Sequence, residues 1–187
     1  IGAAPGRFRL GIAAFAIVAM VDIVVAWALH VLLREVAADR SLLAAWLRLA
    51  HAVFLGAALA ALFRVEELVQ RSTELDPVVT ATEVAVALRT FDGMWMLGLL
   101  CFGLHLVLVA TLLVGRRRAP RPLRLLLGIA GAAYVIDTLL HIGVADYERI
   151  APVLLVLVAV PSVLGEGWFG GWLLLRAGRG TQDPGAR

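Results

Sequence analysis

Apolar residues run almost unbroken through five stretches of this chain, about 10 to 33, 42 to 63, 92 to 114, 123 to 143 and 151 to 175, with polar residues gathered between them. Each stretch supplies about the 20 residues that a helix needs to cross the hydrocarbon of a bilayer, where no water is present to satisfy an exposed backbone. The pattern predicts an all-α transmembrane helical bundle: one domain over residues 1 to 180, with no soluble part. Between the second and third spans, Asp76 and Pro77 have the form of an N-cap followed by a proline at the first helical position. A separate helix over about 77 to 90 is therefore expected at the outer membrane interface. Pro161 predicts a kink in the last span. The Gly/Arg-rich tail from Arg176, ending in residues 181 to 187, is expected to be flexible.

Orientation follows from Arg116, Arg117, Arg118, Arg121 and Arg124, a run with no acidic residue inside it, which the positive-inside rule holds on the cytoplasmic side. Alternation then puts the turn from Arg34 to Arg40 and the tail with Arg176 and Arg179 inside. The stretch with Glu66, Glu67, Glu74, Asp76 and Glu83 falls outside. Arg7 and Arg9 fall on the outer side, a conflict that is relieved if a leading helix precedes them. Trp46 and Trp172 near inner ends, with Trp95 and Tyr147 near outer ones, match the aromatic belts of membrane interfaces.

Composition narrows the chemistry. All 17 basic residues are arginine, so no lysine is available for a Schiff base and retinal-type chemistry is excluded. The pI near 10.0 arises from arginines at helix ends rather than from a basic soluble face, which argues against nucleic acid as a partner. Cys101 is the only cysteine, so there is no internal disulfide and no cysteine-built metal site.

Charged side chains inside a membrane cost several kcal/mol on insertion scales, so they turn toward the bundle interior and mark either packing or function. Here they fall on helical stripes. Phe15, Ala19, Asp22 and Ala26 share one face of the first span, and Ala44, Arg48, His51 and Leu55 one face of the second. Gly98, Cys101 and His105 line the third, and Ala130, Tyr134, Asp137 and His141 the fourth. If the stripes converge, Asp22, His51, His105 and Glu166 lie at similar depth, with Arg48 inward of them and Asp137 and His141 outward. These seven residues are the candidate site.

Three readings of the cluster compete. Interhelical hydrogen bonds and ion pairs, such as Arg48 with Glu166 or Asp22, would set the packing register. Alternatively, His51 and His105 would be axial ligands of a haem, or metal ligands with Asp22 or Glu166 completing the shell. No HExxH, no paired ExxH and no second histidine one turn away on any helix supports that reading. The third reading is a path for protons, ions or a small molecule, weakened because Asp137 and His141 lie one turn apart and can pair with each other. Intramembrane hydrolysis has little support, since Ser162 is the only serine in these spans and has no glycine-framed nucleophile motif. Gly167 and Gly171 form a GxxxG spacing that points to close helix contact, within the chain, with a second copy or with another subunit.

From Phe91 the segments FDGMWMLGLLCFGLHLVLVATLL and PRPLRLLLGIAGAAYVIDTLLHI, followed by Pro161, Gly165, Glu166 and Trp172, carry a family pattern. Asp92, Gly98, Phe102, Gly103, His105, Gly128, Gly131, Tyr134 and Asp137 match it, as does the earlier WLRLAH with Arg48. The chain resembles the bacterial multi-pass membrane family known as domain of unknown function 4386, with Ala110 where glycine is usual and a loop richer in arginine. The resemblance implies six helices with both ends cytoplasmic, so that one leading helix is expected beyond the five visible. It implies no activity, and which cofactor, if any, the chain holds is left open. The reading reached from sequence is a non-catalytic accessory or structural subunit of a larger assembly in the bacterial cytoplasmic membrane. Its C-terminus is cytoplasmic, and it contacts lipid and other membrane subunits or copies of itself. The alternative is a protein that binds haem, metal, protons or a small molecule through the buried histidine and carboxylate cluster.

Overall fold

A computed structural model describes residues 5–116 and 119–176; Arg117, Arg118, Arg179 and the flexible tail expected at 181–187 lie outside the described residues. Among the described residues five helices form a bundle: α1 (Pro5–Leu33), α2 (Ala38–Gln70), α3 (Pro77–Leu112, extended by a short 3-10 turn at Leu113–Gly115), α4 (Arg121–Gly143) and α5 (Tyr147–Arg176). All five are long and apolar enough to cross a membrane, and among the described residues there is no strand. The protein is an integral membrane protein, and the spans expected from the hydrophobic pattern each lie within one of these helices.

The helices extend beyond the apolar stretches because hydropathy marks only the part of a helix that lipid can cover. The largest difference is at α3. No separate interfacial helix occupies 77–90: those residues are the first part of α3, which continues through Phe91, Asp92 and Gly93 without a break. Its start is as the sequence predicts, with the Asp76 carboxylate accepting hydrogen bonds from the backbone N–H of Val78 (2.8 Å) and Val79 (3.1 Å) ahead of Pro77. Nothing between Leu88 and Gly93 breaks a helix, and α2 runs alongside.

At 33 and 36 residues, α2 and α3 are about 50 Å long at 1.5 Å per residue and outreach a hydrocarbon core of about 30 Å. Ion pairs dress the overhang. Arg64 bonds Glu67 at 2.9 Å and reaches Glu83 across the hairpin at 3.9 Å, Arg71 meets Glu67 and Glu74, and Arg9 of α1 pairs with Glu66. At the other end, which carries the arginine-rich α3–α4 loop, Arg116 donates to the Leu32 carbonyl and lies 3.8 Å from Glu35. Ser41 donates to the His30 carbonyl there, so the α1–α2 turn is buttressed from both sides.

The main helix-to-helix neighbours are sequential: α1 on α2, α2 on α3, α3 on α4 and α4 on α5. A core near the basic end joins all five through Leu29, Leu33, Ala44, Leu106, Leu123 and Trp172. A smaller core near the carboxylate-rich end, built on Ile12, Leu59 and Leu62, draws on α1, α2 and α3 alone. The α3–α4 crossing is tight because Gly103 faces Gly131: a Cβ on either would lie 2.7 Å or less from the other's carbonyl oxygen. α5 runs through both Pro152 and Pro161.

Candidate functional site

Ala19 and Ala26 flank Asp22 on the buried face of α1, and these small neighbours let α2 come close enough for Arg48 to reach the carboxylate. Arg48 Nε donates to Asp22 Oδ1 at 3.0 Å, and Nη2 bonds the same oxygen. The other oxygen, Oδ2, lies 3.4 Å from His51 Nε2. Asp22 and His51 are each only 5% exposed and His105 is wholly buried, so this is charge paired inside the bundle rather than at its surface.

His105 fixes the far side of the arginine. Its Nδ1 lies 2.8 Å from the Ala44 carbonyl, which can only accept, so Nδ1 carries the hydrogen and Nε2 presents a lone pair. That lone pair accepts from Arg48 Nη1 at 3.3 Å. The Phe102 ring lies 5.2 Å from the guanidinium carbon, adding a cation–π contact, and its edge meets Tyr134 of α4. Gly98 makes room for the second imidazole: a Cβ at that position would lie 3.1 Å from His51 Nδ1, a buried nitrogen with no hydrogen-bond partner among the described residues.

The remaining candidates form two smaller pairs. Tyr134 donates to Glu166 Oε1 at 3.3 Å, tying α4 to α5. Tyr147, at the start of α5, donates to Asp137 Oδ1 at 2.8 Å and sets its ring edge-on against His141 at 4.5 Å. Asp137 and His141 therefore meet through Tyr147 instead of pairing directly. The structure brings Asp22, Arg48, His51 and His105 into one cluster, places Glu166 beside it through Tyr134 and Phe102, and leaves Asp137 and the exposed His141 toward the carboxylate-rich end. Arg48 takes Asp22 as its ion-pair partner, and Glu166 takes a phenol.

Sequence reasoning gave Tyr147 only the role of a belt aromatic and missed it as the partner of Asp137. The Gly103–Gly131 crossing was also missed, although the two glycines sit in the motifs FGLH and AGAAY that carry the family resemblance. Their signal was a glycine within each motif, three residues before Leu106 on α3 and three before Tyr134 on α4.

The arrangement is suited to holding helices together. Asp22 and Arg48 compensate each other, and His105 spends both ring nitrogens on protein partners, leaving no lone pair for a haem iron or a metal ion. Among the described residues no group of three or more His, Cys, Asp or Glu side chains gathers in a metal-binding arrangement. Ser162 donates to the Val158 carbonyl of its own helix at 2.7 Å, a bond that satisfies its hydroxyl hydrogen.

No curated protein and no solved structure matches this chain. Residues 1–177 match the family described as domain of unknown function (DUF4386), nearly the whole length of the sequence. With that match and a bundle of five helices long and apolar enough to cross a membrane, the chain belongs to the DUF4386 family.

Proposed function

We propose that the protein is a non-catalytic accessory subunit of a larger assembly in the bacterial cytoplasmic membrane, with its C-terminus and the α3–α4 loop on the cytoplasmic side. The observation that carries this reading is the outer face of α5. Val153, Val156, Val160, Leu164, Gly167 and Gly171 follow each other at intervals of three and four residues, opposite the buried Ser162, Gly165, Phe169 and Trp172. The four aliphatic side chains are exposed, and a Cβ at Gly167 or Gly171 would meet nothing within 4 Å. Small residues on a membrane helix let another backbone approach closely, and among the described residues no helix packs against this face. The occupant assigned to it is a transmembrane helix of another membrane subunit. The arginines of the α3–α4 loop support the orientation. The internal pairing of Asp22, Arg48, His51 and His105 supports a packing role for the buried cluster over a haem, metal or proton role.

The test is the mass of the particle extracted from its native membrane in mild detergent, by light scattering and native mass spectrometry. The expected result is a particle heavier than one chain, from which Gly167→Ile or Gly171→Ile releases the free 20.0 kDa protein. Extraction of the wild type as a folded lone monomer overturns the reading. A particle made solely of this chain replaces the partner subunit with a second copy.

A further inference from the structure

On the side of α5 that faces the bundle, near the carboxylate-rich end, α3, α4 and α5 line an open cleft of about 670 Å³. That volume is in the range of small-molecule sites, about 300 to 1,000 Å³. Its walls are mainly apolar, with Met96 and Leu99 on α3 facing Leu155, Val158 and Val163 on α5. Five lining side chains carry a polar atom: Ser162, Trp95, Tyr134, which is engaged with Glu166, and the pair Asp137 and Tyr147, in which the carboxylate accepts the phenol.

Asp137 is the informative group. A carboxylate has acceptor capacity for about four hydrogen bonds, and Asp137 accepts one, from a neutral phenol. No arginine or histidine forms a salt bridge with it among the described residues, in contrast to Asp22. A half-buried anion without a cation, set in an apolar wall beside the Trp95 and Tyr147 rings, is complementary to a positively charged head group on a greasy body. The low dielectric of such a wall strengthens ion pairing, and the aromatic faces add cation–π attraction.

We propose that this cleft binds a cationic amphiphile, an amine carrying a hydrocarbon chain, with its ammonium at Asp137 and its chain along the walls of α3 and α5. The site is independent of the glycine face of α5, which lies on the helix's other side.

The experiment measures uptake of tritiated N,N-dimethyldodecylamine by wild-type protein in nanodiscs, corrected for uptake by empty nanodiscs, with dodecanol and dodecyl phosphate as competitors. The expected result is one saturable site for which dodecanol competes about tenfold more weakly, and dodecyl phosphate more weakly still. Asp137→Asn should bring the amine down to the level of the alcohol. Ala159→Trp, which fills the cleft from α5 and leaves Asp137 in place, should abolish saturable uptake of both. Non-saturable uptake, equal competition by the alcohol, stronger competition by the phosphate, or a folded Ala159→Trp protein that still binds would each overturn the proposal. The wild-type comparison decides the charge preference even if the Asp137 variant does not fold.

Discussion

Helices α1 and α5 are the two edges of the bundle, 29 and 30 residues long, and each packs chiefly on one neighbour, yet different chemistry fastens them. α1 is pinned at mid-span by Asp22, a charged side chain whose guanidinium partner lies on α2 and is itself held by α3. α5 is fastened by two phenol-to-carboxylate bonds and by aromatic packing of Phe169 and Trp172 near one end. Only 17% of its apolar stretch is buried, against 50% for α3. In lipid the apolar surface of a helix gains little from contact with another, so directional polar contacts decide which helices hold fast. The difference therefore teaches that α1, α2 and α3 form a cross-braced unit, carrying α4 through the glycine crossing, while α5 is attached to its side.

The largest expected effect comes from removing the brace. Arg48→Ala leaves Asp22 buried without its cation, a change that costs about 3 to 5 kcal/mol in comparable sites, and His105 Nε2 loses its donor. Unfolding of the detergent-solubilised protein should show a destabilisation of that order. An unchanged midpoint would break the comparison at its strongest point. Asp22→Asn with Arg48→Met together should cost less than the sum of the two single changes, because each removes the other's uncompensated charge.

Next in size is the contrast between two glycines. Gly103→Ile drives a side chain into the Gly131 carbonyl and the Tyr134 Cβ, with an overpacking cost of about 1 to 3 kcal/mol or more. Gly167→Ile meets open space and should leave the stability of the isolated chain unchanged within about 1 kcal/mol, the scale of the helix-propensity difference. Equal destabilisation by both would mean that α5 is packed as tightly as α3.

The smallest effect sharpens the picture of α5. Tyr134→Phe removes one 3.3 Å hydrogen bond to Glu166 and should cost about 1 kcal/mol. Hydrogen exchange is the measurement: protection along α5 should fall while α1 to α3 keep theirs. A uniform loss across all five helices would show a single cooperative unit.

Much of this was legible from residue spacing. The five spans follow from apolar length, and the stripes with Asp22, Arg48, His51 and His105 follow from helical periodicity, which places residues on a common face without any fold. The rest depended on geometry that periodicity does not carry. Whether 77–90 continues into the third span turns on the absence of a breaker and on the α2 surface beside it, not on hydropathy. Which carboxylate meets Arg48 depends on how each helix is rotated about its axis, and Asp22 and Glu166 looked equivalent on depth alone. Tyr147 reaches Asp137 across a turn, a relation that a helical wheel for α4 cannot contain.

The seam at Gly103 and Gly131 also limits how the molecule can move. With no room for even a methyl group between the two backbones, α3 and α4 cannot roll or slide past each other without a collision. That seam is an axle, and any swing open to the protein belongs to the helix hung beyond it.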